Sequence, residues 1–241
     1  MISRYDGLLL PQEVPEVGSG CRTARTPRPG VTAGSPVAYS ACYVYSPRGR
    51  GAISAGSRLL RARVKAADPV WLRKYADQVR ELSCASQCFS KVFGRDVILI
   101  PVPACVPLPS GSPSVAERVA VALKSRGLAA AVWVGLRRTV AVRKSATAPC
   151  RERPSIREHY ESLAVEQSLV APDRIALVDD VVTKGRTLLA CAMRLREVYP
   201  QAELRAFALV RTMGLVPDIE QLIQPCDGQI SWVGDDAQRD P

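Results

Sequence analysis

The stretch Arg174–Leu189, RIALVDDVVTKGRTLL, decides how this chain is read. Ile175–Val178 is a continuous apolar run, the pattern of a parallel strand covered on both faces. Asp179 and Asp180 stand at its end. Two adjacent carboxylates repel each other, and the pair is relieved where hydroxyl donors or a divalent cation share the site. Thr183–Thr187 then open a helix predicted to begin near Arg186, whose unpaired backbone N–H groups and dipole attract an anion. Gly185 lets the backbone come close to a ligand. Thr183 and Thr187 add hydroxyl donors, and Lys184 and Arg186 add positive charge. In open parallel sheets ligands bind beyond the carboxyl ends of the strands. Both acids are expected to face that crevice as the chain leaves the sheet. Carboxylates that accept sugar hydroxyls, followed at once by a phosphate cradle, describe a site for a ribose carrying a terminal phosphate.

Around this stretch, strands and helices alternate. The run DVILIPV (96–102) reads as a second buried strand. In SPSVAERVAVALKSRG, Ser114 three residues before Glu117 forms a capping box, and Gly127 suits the end of the helix. LAAAVWVGL (128–136) reads as one further strand, YESLAVE as a short one, RTLLACAMRLREVY as a helix and ELRAFALVRT as a closing strand. The order predicts an α/β fold, a parallel, doubly wound, Rossmann-like sheet with flanking helices. Before it, DPVWLRKYADQVRELS carries Trp71, Tyr75, Val79 and Leu82 at helical spacing, started by Asp68 or Pro69. Residues 1–37 hold five Pro and five Gly and are expected to be a disordered or low-complexity leader. The predicted organisation is that leader, an N-terminal helical or hood segment over 38–95, a core over 96–212 and a C-terminal hood or tail over 213–241.

The totals agree with a folded chain. Of 241 residues, 47% are hydrophobic and 23% charged, close to globular averages. The net charge of +10 favours anionic partners such as phosphate esters or nucleic acid without choosing between them. No run reaches the ~18 apolar residues of a membrane span, and Leu8–Leu10 is too short for a signal-peptide apolar region. A cytoplasmic location is expected. The eight cysteines show no C-x-x-C pair. Cys84 and Cys88 share a helical face, which fits two ligands of a metal or, more plainly, half-buried small side chains in a reducing compartment.

The segment IALVDDVVTKGRTL resembles the phosphoribosyl-pyrophosphate signature of the type I phosphoribosyltransferases: four apolar residues, two acids, two apolar residues, Thr-x-Gly-x-Thr. The order LRARVKA, ILIPVP, a basic stretch and then the signature is most similar to the ComF-like branch over about residues 60–212. The resemblance implies a type I phosphoribosyltransferase fold with a small hood. It also implies transfer of a phosphoribosyl group from magnesium phosphoribosyl pyrophosphate to a small nitrogen nucleophile, with release of pyrophosphate. By it, Asp179 and Asp180 bind the ribose hydroxyls, and Thr183, Lys184, Gly185, Arg186 and Thr187 hold the terminal phosphate. Ala104 and Cys105 match the pyrophosphate loop, which in the family often has a strained peptide. The basic stretch Arg137–Arg157, with seven basic residues and the single acid Glu152, resembles the mobile lid. From it Arg143, Lys144, Arg151 and Arg153 are candidates to meet the leaving group, and Arg143 and Lys144 join the two acids as the catalytic set. Mg2+ is expected to be held mainly through the substrate, near Asp179 and Asp180. A homodimer is implied by resemblance alone.

Two departures weigh on the other side. The Arg-Gly-Phe-Asn run of that branch is absent, SVAERVA supplying only Arg118, and its N-terminal cysteine-rich zinc module is absent too. The missing run, with no recognisable acceptor pocket, favours as the rival reading a non-catalytic sensor of phosphoribosyl pyrophosphate or a nucleotide, including one associated with nucleic acid. A phosphate-binding module of a larger complex is a third. A P-loop would need G-x-x-x-x-G-K-[ST], which the chain lacks. His159, the single histidine, lies beside the basic stretch. A general base there is conceivable, but with no partner identified a packing role is the plainer reading.

Overall fold

A computed structural model describes residues 34–85, 87–109, 111–143, 153–168, 171–214, 216 and 218–241. Seven strands form one sheet in the order β3-β2-β6-β7-β1-β8-β9. They are β1 (Val37–Tyr45), β2 (Gly94–Pro101), β3 (Ala129–Val132), β6 (Arg174–Val182), β7 (Glu203–Thr212), β8 (Ile223–Val233) and β9 (Asp236–Asp240). The first five in spatial order are mutually parallel. β8 runs antiparallel to β1, and β9 antiparallel to β8. A separate two-stranded ribbon pairs β4 (Leu136–Arg138) with β5 (Leu163–Val165).

The helices are α1 (Ala52–Lys65), α2 (Pro69–Ala85), α3 (Val115–Lys124), α4 (Ile156–Glu161) and α5 (Arg186–Val198). The Asp68 carboxylate accepts the N–H groups of Val70 and Trp71, satisfying free donors of α2. Ser114 and Glu117 form the expected reciprocal cap of α3. Alternation along the strands fills two cores. Ala176, Val178, Phe207 and Leu209 face Tyr75, Val79, Val119 and Leu123 of α2 and α3. Ile175, Leu177, Ala206 and Ala208 are equally buried but lie outside that cluster, as do Leu188, Leu189 and Leu195 of α5. Each fully buried aliphatic side chain contributes roughly 1.5–3 kcal/mol.

The segment expected as a hood at 38–95 contributes a strand to the middle of the sheet. VAYSACYVY lies between β7 and β8, buried almost throughout, in keeping with a run that is apolar but for Ser40. The tail also joins the sheet, as β8 and β9. LAAAVWVGL is not one strand but two in different sheets. Trp133 and Gly135 lie between them, and a Cβ on Gly135 would sit 2.4 Å from the Trp133 ring. The leader reading over 1–33 lies outside the described residues, and Val37 already opens β1. Among the described residues no helix is long and apolar enough to cross a membrane.

This topology fixes a crevice. From β2 the chain passes through α3 to β3 on one side, whereas from β6 it passes through α5 to β7 on the other. β2 and β6 are neighbours, so the winding reverses between them, and ligands of open α/β sheets bind at such a reversal.

Candidate functional site

At the carboxyl end of β6 the chain turns through Thr183 and Lys184 into α5. Gly185 is the N-cap residue, in the left-handed region with φ 88°. An L side chain there is strained, and a Cβ would lie 2.7 Å from Ile230 of β8. The close approach that this glycine permits is to the protein's own sheet. The turn encloses a cavity of about 100 Å³ lined by Thr183–Leu188, Asp179, Val181, Val182 and Arg153. A water occupies about 30 Å³ in the liquid, so the space admits a group of a few heavy atoms. The structure thus brings together Asp179, Thr183, Lys184, Gly185, Arg186, Thr187 and Arg153.

Asp180 is not among them. β6 continues through Val182, past the last β2 pairing at Val178, so both acids are inside a strand rather than beyond its tip. Strand alternation then separates them. Asp179 stays half-buried on the cavity, while Asp180 is buried and meets Lys65 Nζ of α1 at 2.6 Å. The expectation that both carboxylates face the crevice is corrected on this point. Each carboxylate also accepts the next backbone N–H, Asp180 N at 2.8 Å and Val181 N at 2.9 Å. Burial, reinforced by the Asp180 charge, raises the Asp179 carboxyl well above the usual carboxylate range despite Lys65.

The loop cations have a partner that the sequence reading missed. Asp236, at the start of β9, accepts Lys184 Nζ at 2.5 Å and Arg186 Nε. These bonds and the Ala237 N–H hold its carboxyl far below the ordinary value. Asp236 does not line the cavity, so it neutralises the two side chains from outside and leaves the turn open. Thr183 Oγ1 lies 3.2 Å from Thr212 Oγ1 at the end of β7.

The loop after β2 is tied to the other elements by Arg138 of β4, which is 6% exposed. Its Nε donates to the Ala104 carbonyl at 3.2 Å, and its Nη1 donates to the His159 carbonyl at 3.3 Å and to Ser162 Oγ at 2.6 Å. Val142 donates to the Cys105 carbonyl at 2.8 Å, which brings the start of the basic stretch, and Arg143 with it, back to this loop. The Ala104–Cys105 peptide is trans, with neither residue at positive φ, so the strain common in the family's loop is not found here. Lys144 and Arg151 lie outside the described residues.

His159 is a core residue, 3% exposed, with Nε2 3.4 Å from Thr187 Oγ1. Burial, and then the Arg138 and Arg186 charges, push its imidazole down to about 4. It is therefore neutral near pH 7 and supports the Thr183–Thr187 turn from behind. Neither Lys65 nor Asp236 was singled out by the sequence as a site residue. They were visible only as a basic residue closing LRARVKA and as one acid in the tail GDDAQRDP.

The fold is an α/β sheet, mostly parallel and flanked by helices, in the Rossmann-like manner. No protein-family model matches the chain, and no curated protein matches it.

Proposed function

We propose that the chain binds phosphoribosyl pyrophosphate and transfers its phosphoribosyl group to a nitrogen nucleophile, in the manner of the type I phosphoribosyltransferases. The observation that carries the reading is the open turn of Thr183–Thr187 with Asp179 on its wall, at the point where the winding of the sheet reverses. The backbone N–H groups of the turn and the Thr183 and Thr187 hydroxyls would hold the terminal phosphate. Asp179 would bond a ribose hydroxyl beside it. Asp180 is engaged by Lys65, so its role is to fix the strand end and the field around Asp179 rather than to meet the sugar directly. Arg153, and Arg143 from the basic stretch, would meet the departing diphosphate and exclude water from a cationic centre.

In the reaction the nitrogen–C1 bond forms as the C1–oxygen bond breaks. The electron pair leaves with pyrophosphate, and the proton lost by the nucleophile passes to water. The described residues hold no group of three or more His, Cys, Asp or Glu side chains that would bind a metal. With Asp180 engaged by Lys65, the acid pair does not fit a resident magnesium ion; magnesium enters as the counter-ion of the diphosphate, with the substrate.

Calorimetric titration with magnesium phosphoribosyl pyrophosphate tests the reading. Binding is expected for the parent and is expected to be lost in Asp179→Asn/Thr187→Val; equal binding by both defeats it. One observation favours a sensor without catalysis as the second reading: Lys65 and Asp236 already satisfy Asp180, Lys184 and Arg186. Pyrophosphate release with a panel of nitrogen nucleophiles separates the two.

A further inference from the structure

A second and larger cavity, about 470 Å³, opens at the carboxyl ends of β2 and β3. Pockets for small ligands span about 300–1,000 Å³, with apolar walls and a few placed polar groups. This one has such walls. Pro103, Val106, Leu108, Val134 and Leu136 line it, and the loop that covers it is stiffened by further prolines.

Three charged side chains reach the wall: Glu117, Arg137 and Arg138. Two are already committed. Glu117 caps α3 by accepting the Ser114 N–H, and Arg137 pairs with Glu166. Arg138 is different. It is almost fully buried, its hydrogen-bond partners are neutral oxygens of Ala104, His159 and Ser162, and no carboxylate of the described residues lies within ion-pair distance of it. A buried charge without a counter-charge is costly, and an anionic ligand at such a charge relieves the cost. Nη2 makes no hydrogen bond to the described residues, whereas Nε and Nη1 do.

We infer that this cavity is a site for a small, largely apolar carboxylate whose carboxyl group meets Arg138. On the reading above, on which this role rests, the occupant is the nitrogen nucleophile, a ring or short chain bearing an amine or ring nitrogen and one carboxylate. The covering loop is the one expected to meet the diphosphate, and Ala104 belongs to both. Arg138 then selects among nucleophiles: a neutral analogue leaves the buried cation unbalanced and is rejected, as sites with unmatched buried polar groups reject ligands.

The test is a titration of the full chain with benzoate, beside benzamide as its neutral isostere, followed by calorimetry and by the methyl signals of Val106, Leu108, Val134 and Leu136. Benzoate is expected to bind at least about ten-fold more tightly than benzamide, with its shifts at those methyls. Equal affinity, or shifts confined to other residues, overturns the inference. Because Arg138 also holds three elements together, the decisive variant is Val134→Glu, on the exposed part of the wall. It is expected to weaken benzoate at least about ten-fold and to leave benzamide unchanged; unchanged benzoate affinity overturns the inference. Ribose 5-phosphate is titrated alongside. If it binds and benzoate does not, this inference alone fails. If benzoate binds and ribose 5-phosphate does not, the carboxylate site stands and the phosphoribosyl reading fails.

Discussion

The turn after β6 and the loop after β2 each meet an arginine, Arg186 at the start of α5 and Arg138 of β4, but they treat its charge in opposite ways. After β6, Arg186 and its neighbour Lys184 share the carboxylate of Asp236 at the protein surface. Against the loop after β2, Arg138 of β4 is buried among neutral oxygens with His159 beside it, and that imidazole is kept uncharged. The first arrangement is a screened surface network, of the kind that contributes little to stability. The second places a buried cation among neutral oxygens with no carboxylate of the described residues beside it, where removing or adding a charge has large consequences. The difference separates a turn whose cations are balanced by a carboxylate from a cavity wall whose buried cation has no carboxylate partner among the described residues.

The largest effect is expected from Gly185→Val, which breaks the first region by geometry rather than charge. A β-branched residue at φ 88° with Ile230 against its Cβ is expected to cost on the order of 3 kcal/mol. Chemical denaturation measures it, and Ile230→Ala in the same chain is expected to recover the steric part. No loss of stability would mean that the turn does not adopt this conformation.

The second region is tested by pH. The folded His159 titrates near 4 and the unfolded one near 6.5, so the unfolded chain binds more protons between those values. Stability is therefore expected to fall as pH drops from 6.5 to 4, by about 3 kcal/mol at about 1.4 kcal/mol per pH unit. His159→Gln is expected to remove that slope. Asp179 acts in the reverse direction, because its raised carboxyl keeps a proton in the fold that the unfolded chain has released. Its contribution is lost as pH rises, so the His159 slope is read as the difference between variant and parent. An unchanged slope in His159→Gln would show that the imidazole is not buried neutral. As the single histidine, its NMR signal reports the same titration directly.

The smallest stability effect is expected from Asp236→Asn, which sharpens the comparison. The pair is part-exposed, so the loss is put below about 1 kcal/mol. Asp236 has a depressed folded value, so its contribution is present above the unfolded value of about 3.8 and is lost as pH falls through the folded one. Its effect on ligands is larger. Freed of their partner, Lys184 and Arg186 are expected to bind ribose 5-phosphate several-fold more tightly, with a steeper dependence on salt. Unchanged affinity would mean that these side chains do not face the ligand.

Much of the framework was legible in local pattern. The buried strands at 96–102, 174–182 and 203–212, the capping box at Ser114 and Glu117, and the helix from Arg186 follow from apolar runs and cap chemistry within a few residues. β1 was missed because VAYSACYVY lies next to a segment rich in Pro and Gly, and its place in the sheet depends on a strand more than 160 residues away. The break at Trp133 was hidden because an apolar run gives no sign of which sheet its two halves join. Within the site, the turn and Asp179 were legible as one contiguous motif. Arg138 was counted among basic residues without being singled out, because burial and partners set it apart from Arg143 or Arg153.

The sequence by itself determined an alternating α/β chain and a turn with the donors for a phosphate, because these depend on neighbours along the backbone. Only the tertiary structure decided that Asp180 turns to Lys65 while Asp179 stays on the cavity, that Asp236 balances the turn, and that no carboxylate of the described residues pairs with Arg138. Those outcomes depend on strand length, on packing and on distances between residues far apart in the chain. Electrostatic balance is a property of three-dimensional proximity and burial, and no local pattern encodes it.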